Sequence, residues 1–206
     1  MGRFHTISML TIYSLILIAN VQSRGNGKIF KFRVYLHDVM SGPNENAFVV
    51  AESKITNTSP TLFGQVRVTD NPLTVGPNLS SEKLGRSQGL VVLSGLEEEA
   101  FTMSLNLYFT GGKYKESTIC IVGRKSITHN SNQELPIVGG TGAFRWARGF
   151  AISRTYSNNS ATNYAVSEYN IYAVVDNKFA GLFNGLWEKV IVQVFVFPYL
   201  KKRGIC

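Results

Sequence analysis

Two charged residues in this 206-residue sequence are placed where they invite chemistry, Asp38 and Arg148. Asp38 follows His37 at the end of the run IFKFRVYLH, just ahead of Ser41-Gly42-Pro43-Asn44. A carboxylate at the end of a strand, facing a cavity, can act as a general acid or bind a phenol hydroxyl. It can equally cap the turn that follows by accepting backbone N–H groups. Arg148 lies late in the glycine-dense segment ELPIVGGTGAFRWARGF, Glu134 to Phe150. A guanidinium there can pair with a buried carboxylate or donate to a substrate oxygen. Its plainer role is a structural ion pair or an outward, solvated side chain.

Other familiar chemistries find no footing. The one GxSxG match, Gly85-Arg86-Ser87-Gln88-Gly89, lies in a β-rich chain without the helix that a nucleophile elbow needs, there is no P-loop, and GGTGAF lacks the third glycine and the strand–helix context of a dinucleotide fingerprint. His5 falls in the apolar N-terminal region, and neither His37 nor His129 has metal-ligand spacing to a cysteine or another histidine. Neither a metal centre nor a cofactor is expected.

The N-terminus carries Arg3, then the apolar run Ile7 to Ala19, then small residues around Val21-Gln22-Ser23. That is the pattern of a secretory signal peptide over 1–23, and the apolar run is short for a membrane span. Losing Arg3 with the leader takes the formal charge from +8 to +7. The basic residues are scattered, apart from Lys201-Lys202-Arg203. With an export signal, an acidic cell-wall matrix fits that charge better than nucleic acid. Two cysteines, Cys120 and Cys206, leave room for one bridge and exclude a disulfide-rich scaffold. Sequons at Asn57, Asn78 and Asn158 fall in polar, loop-like stretches open to glycosylation.

The elements that must hold such residues are strands. In IFKFRVYLH, Phe30, Phe32, Val34 and Leu36 share one face, and Lys31, Arg33, Tyr35 and His37 the other. In AFTMSLNLYFT, Phe101, Met103, Leu105, Leu107 and Phe109 alternate with polar residues or tyrosine. Further β-rich runs are Phe48–Ile55, Phe63–Thr69, Gly89–Leu93, Ser117–Val122, Phe144–Ser153 and Tyr164–Val174, separated by Gly, Pro, Asn and Ser clusters. About eight short strands without helices predict an all-β, eight-stranded antiparallel barrel, a single domain over 24–175 that can hold one small ligand at its mouth. Residues 176–206 break the rhythm and read as an atypical extension.

The succession LHD (Leu36–Asp38), FGQVRVTDNPLTVGP (Phe63–Pro77), GRSQG (Gly85–Gly89), YFTGGKYKEST (Tyr108–Thr118) and ELPIVGGTGAFRWARGF resembles the plant dirigent proteins, over roughly Phe32 to Tyr172. The resemblance implies a secreted, glycosylated eight-stranded barrel of the apoplast that assembles as a homodimer or homotrimer. It implies no redox centre: an oxidase such as a laccase makes phenoxy radicals from a monolignol like coniferyl alcohol. The dirigent protein binds the radicals or their quinone methide and fixes the stereochemistry of coupling. Alternatives are an enzyme that cyclises a phenolic through a quinone methide, and a barrel that binds cell-wall polysaccharide.

Carried over from the family, Asp38 matches the pocket aspartate of its HD pair and Arg148 the arginine of its ARG element. Ala143 stands where pinoresinol-forming members carry a second acid, and Val91 and Leu93 where they carry pocket tyrosines. Alanine cannot transfer a proton, and neither aliphatic side chain can hydrogen-bond a phenol. That site geometry therefore does not carry over whole.

Overall fold

The computed structural model describes residues 27–126 and 132–176. The 1–23 leader, His129, the 177–206 segment and Cys206, and with it any bridge to Cys120, lie outside the described residues. Nine strands run in chain order: β1 (Lys28–Val39), β2 (Ala47–Ala51), β3 (Val66–Thr74), β4 (Lys83–Leu93), β5 (Ala100–Phe109), β6 (Thr118–Ser126), β7 (Gln133–Thr141), β8 (Ala147–Asn159) and β9 (Tyr164–Val175). They form one sheet in the order β1-β9-β8-β7-β6-β5-β4-β3-β2, and β1 also pairs with β3. That pairing closes an eight-stranded antiparallel barrel, with short β2 flanking β3.

The side-chain alternation explains the closure. Met103, Leu105, Leu107 and Phe109 of β5 are all 5% exposed or less and face inward, as do Phe30, Val34 and Leu36 of β1. Tyr35 and His37, on the opposite face of β1, are also buried, because cross-strand partners cover them on the outside of the barrel. Strand β7 was not foreseen, since Pro136 and two glycines argue against a strand. The β6 register ends at Ile137, one residue short of Pro136, so the missing N–H removes no bond from that ladder. Gly140 packs against β6 so closely that a Cβ there would lie 2.3 Å from the Thr118 carbonyl oxygen. Gly142, at φ +57°, then turns the chain into a short 3-10 turn, Gly142–Phe144.

That turn drives Phe144 into the barrel, where it is fully buried. Its ring lies 5.0 Å from those of Phe30 and Tyr114 and 5.6 Å from that of Phe109. Phe32 completes an aromatic plug that closes this end of the barrel. Burying each such ring contributes roughly 2–3 kcal/mol. Among the described residues the other end carries no such plug.

Candidate functional site

The open end is built by the ends of β1, β4, β6 and β8 and the starts of β3, β5, β7 and β9. Strand β3 is patterned inside out here. Arg67, Thr69 and Asn71 line an inner chamber, while Val68 between them is 43% exposed on the outer surface. An inner chamber of about 90 Å³ adjoins an outer one of about 330 Å³ that reaches solvent. Asp38, Met40, Arg67, Phe101, Lys125 and Ser167 line both. Mostly apolar walls with a few convergent polar groups are the usual make-up of a small-molecule site, and the volume falls at its small end.

Among the described residues three charged side chains face both chambers, and Glu99 lines the outer one alone. Asp38 continues the inward alternation of β1 and pairs in register with Ala165 of β9, itself a wall residue. Burial pushes its carboxyl above the usual carboxylate range, against the opposing pull of Arg67, Lys125 and Asn71. Its Oδ1 is buried without a hydrogen-bond partner among the described residues. Lys125 ends the inward series Ile119, Ile121, Gly123 of β6 and is 8% exposed. Its Nζ donates to Ser153 Oγ at 3.0 Å. Burial holds the Lys125 ammonium down to about 8, with Asp38 pulling it back up. Arg67 is half-buried; its Nε donates to Gln65 Oε1 at 2.7 Å and its Nη1 approaches Met40 Sδ at 3.4 Å. A carboxyl that protonates readily beside an ammonium that deprotonates readily can exchange protons with a phenolic ligand.

Asp38, Val91 and Leu93 lie on the chamber walls, with Val91 paired in register to Arg67. Arg148 and Ala143 do not. Ala147 and Ala151 of β8 face inward, so Arg148 between them faces out, at the plugged end. Its Nη1 donates to the carbonyls of Val138 at 2.6 Å and Ala147 at 2.9 Å. Ala143 is exposed beside the inward-turned Phe144, its N–H donating to Ser117 Oγ. The structure thus does not bring Arg148 to Asp38, and the missing acid at Ala143 does not touch this cavity. Asn57, Asn78 and Asn158 are exposed, and Asn158 sits on the rim of the outer chamber. The described residues hold no cluster of His, Cys, Asp and Glu suited to a metal ion, and no helix long and apolar enough to cross a membrane.

Arg67 and Lys125 escaped the sequence reading. Both were legible in principle by parity: Lys125 continues an apolar period-two series, and Gln65, Arg67, Thr69 and Asn71 alternate with Val66 and Val68. Treating apolar residues as inward hid the inverted strand.

A family model described as "Dirigent-like protein" matches residues 29–174, the whole barrel. Dirigent protein 21 of Arabidopsis thaliana is 38% identical over 167 residues, covering 81% of this chain and 88% of the relative. Dirigent protein 1 of the same plant is 43% identical over 145 residues, covering 70% and 78%. Pterocarpan synthase 1 of Glycyrrhiza echinata is 39% identical over 147 residues, covering 70% and 77%. A solved pterocarpan synthase dirigent protein superposes with a TM-score of 0.66 at 37% identity, covering 73% of this chain and 89% of that one. Motif order, closed barrel and these matches agree: the chain belongs to the dirigent-like proteins.

Proposed function

We propose that the protein is a secreted, non-oxidative director of phenolic coupling, which holds phenoxy radicals or a derived quinone methide in the open-end cavity while a separate oxidase supplies them. The observation that carries this reading is the cavity itself: apolar walls with Asp38, Arg67 and Lys125 converging on one small space. Apolar walls stack a phenolic ring, and the charged groups orient its oxygens. Steering needs little energy, since ~1.4 kcal/mol between two coupling geometries is a tenfold preference. The test adds purified protein to a laccase and coniferyl alcohol and follows the products by chiral chromatography. Enantiomeric excess should rise while substrate consumption stays the same, and Asp38→Asn should lower the excess several-fold. Racemic product across a panel of monolignols overturns the reading.

A second reading, catalysed ring closure through a quinone methide, is favoured by the relatives named pterocarpan synthase and by the raised pKa of Asp38. Asp38 would then pass a proton to or from the ligand, with Lys125 stabilising phenolate. It expects turnover of a non-radical isoflavanol with no oxidase present, abolished in Asp38→Asn. No turnover across isoflavanols and lignan precursors removes it.

A further inference from the structure

We infer that the cavity selects a phenolic bearing an ionised carboxylate, and that Arg67 is the residue that recognises it; this rests on the phenolic-binding reading above. Two buried or half-buried cations, Arg67 and Lys125, face the inner chamber against one carboxylate, Asp38. Glu99 lines the outer chamber alone, at its exposed rim. One positive charge is thus left over in a small space with mostly apolar walls, and such a charge favours an anionic ligand.

Hydrogen bonding identifies which cation is left over. Lys125 donates to Ser153, and both cations sit in the field of Asp38. Arg67 carries five N–H donors, yet spends them on one amide oxygen and one thioether sulfur, a weak acceptor. It forms no ion pair among the described residues. A guanidinium left in that state matches a carboxylate with two parallel hydrogen bonds.

A second observation sets the far end of the ligand. Thr69 and Asn71, 4% and 3% exposed, line the inner chamber with side-chain oxygens that have no partner among the described residues. Asp38 Oδ1 shares that condition. Two unmet acceptor oxygens and an unmet hydroxyl call for a partner that both donates and accepts, and a phenol hydroxyl is one. Arg67 and Asn71 are separated by about 13 Å of strand. The fitting ligand has a hydroxyl donor at one end and an anion at the other, as a hydroxycinnamate has and a monolignol does not.

Calorimetry at neutral pH on the whole protein compares ferulate with its methyl ester and with coniferyl alcohol, which share the ring and differ in the side-chain terminus. Ferulate should bind at least about tenfold more tightly than either neutral ligand, the gain expected of one charge-assisted bidentate contact. Arg67→Gln should bring all three within about twofold of one another, and Arg67→Lys should fall between, because it keeps the charge without the fork. Thermal melts establish that the variants are folded, and the wild-type comparison stands without them. Neutral ligands that bind as tightly as ferulate, or a ferulate preference that survives Arg67→Gln, overturn the inference and leave the phenolic site intact. If none of the three binds, the phenolic-binding reading falls with it.

Discussion

Lys125 is a buried charge whose surroundings set its pKa. Its ammonium sits at about 8 in the native protein because burial outweighs the attraction of Asp38, whereas the unfolded chain holds it near 10.5. Between those two values the unfolded state binds a proton that the native state has lost. Stability linked to this residue therefore rises with pH across that window and is flat below it. Lys125→Met removes the titration, so the urea midpoint of the variant should exceed wild type at neutral pH and the gap should narrow toward pH 10. A gap that does not change with pH would mean that Lys125 is solvated in the native protein. The same measurement bears on function, since a lysine that loses its proton near 8 can stabilise a phenolate and release it again.

At the scale of elements, the glycine-dense segment Glu134 to Phe150 is the longest block of the family likeness, yet none of its residues lines the cavity. Its glycines serve packing: Gly140 admits β6 at close range, and Gly142 makes the turn that plants Phe144 among Phe30, Phe109 and Tyr114. The alternating runs of β1 and β5 were legible because one face of each meets an apolar core. Strand β7 was not, because Pro136 falls where the β6 ladder has already ended, a fact of register that no local pattern carries. The cavity was half legible. Asp38, Val91 and Leu93 emerged from alternation and likeness, while Arg67 and Lys125 needed the direction of each strand's inner face. Arg148 was misplaced for the same reason, since only the inward alanines on either side reveal that it points out. If the segment is a structural plug, Phe144→Ala should cost about 3–5 kcal/mol, the range for emptying a buried phenylalanine site. That loss is measurable as a lowered urea midpoint, and ligand affinity at the open end should change far less. A variant that keeps its stability but loses ligand would place the site at the plugged end instead.

At the scale of the whole barrel, closure is made by one short seam. Strand β1 meets β3 only at Tyr35–Thr74 and Leu36–Leu73, whereas its contact with β9 runs from Lys28–Val175 to Val39–Tyr164. His37 clamps that seam, its Nδ1 2.6 Å from Tyr164 Oη and its Nε2 2.7 Å from Thr74 Oγ1. Thr74 already donates its hydroxyl to the Gly76 carbonyl, so Oγ1 accepts from Nε2–H and the bare Nδ1 accepts from Tyr164. This arrangement satisfies a neutral imidazole, and burial favours that form by lowering the His37 pKa below its ordinary 6.5. As pH falls through 6.5 the unfolded chain takes up a proton that the native barrel refuses, so stability declines on the acid side. His37→Gln should cost about 1–3 kcal/mol at neutral pH, the price of leaving buried hydrogen-bonding groups unmatched. The difference from wild type should shrink between pH 7 and pH 5. Amide hydrogen exchange supplies the spatial check: protection in the variant should fall first at Leu73 and Thr74 and hold in β5 and β6. Uniform loss of protection would mean that the barrel opens as one unit and that the seam is no weaker than the rest. A local loss would identify β1–β3 as the place where the wall beside Asp38 and Arg67 parts most easily, linking the closure of the barrel to the shape of its cavity.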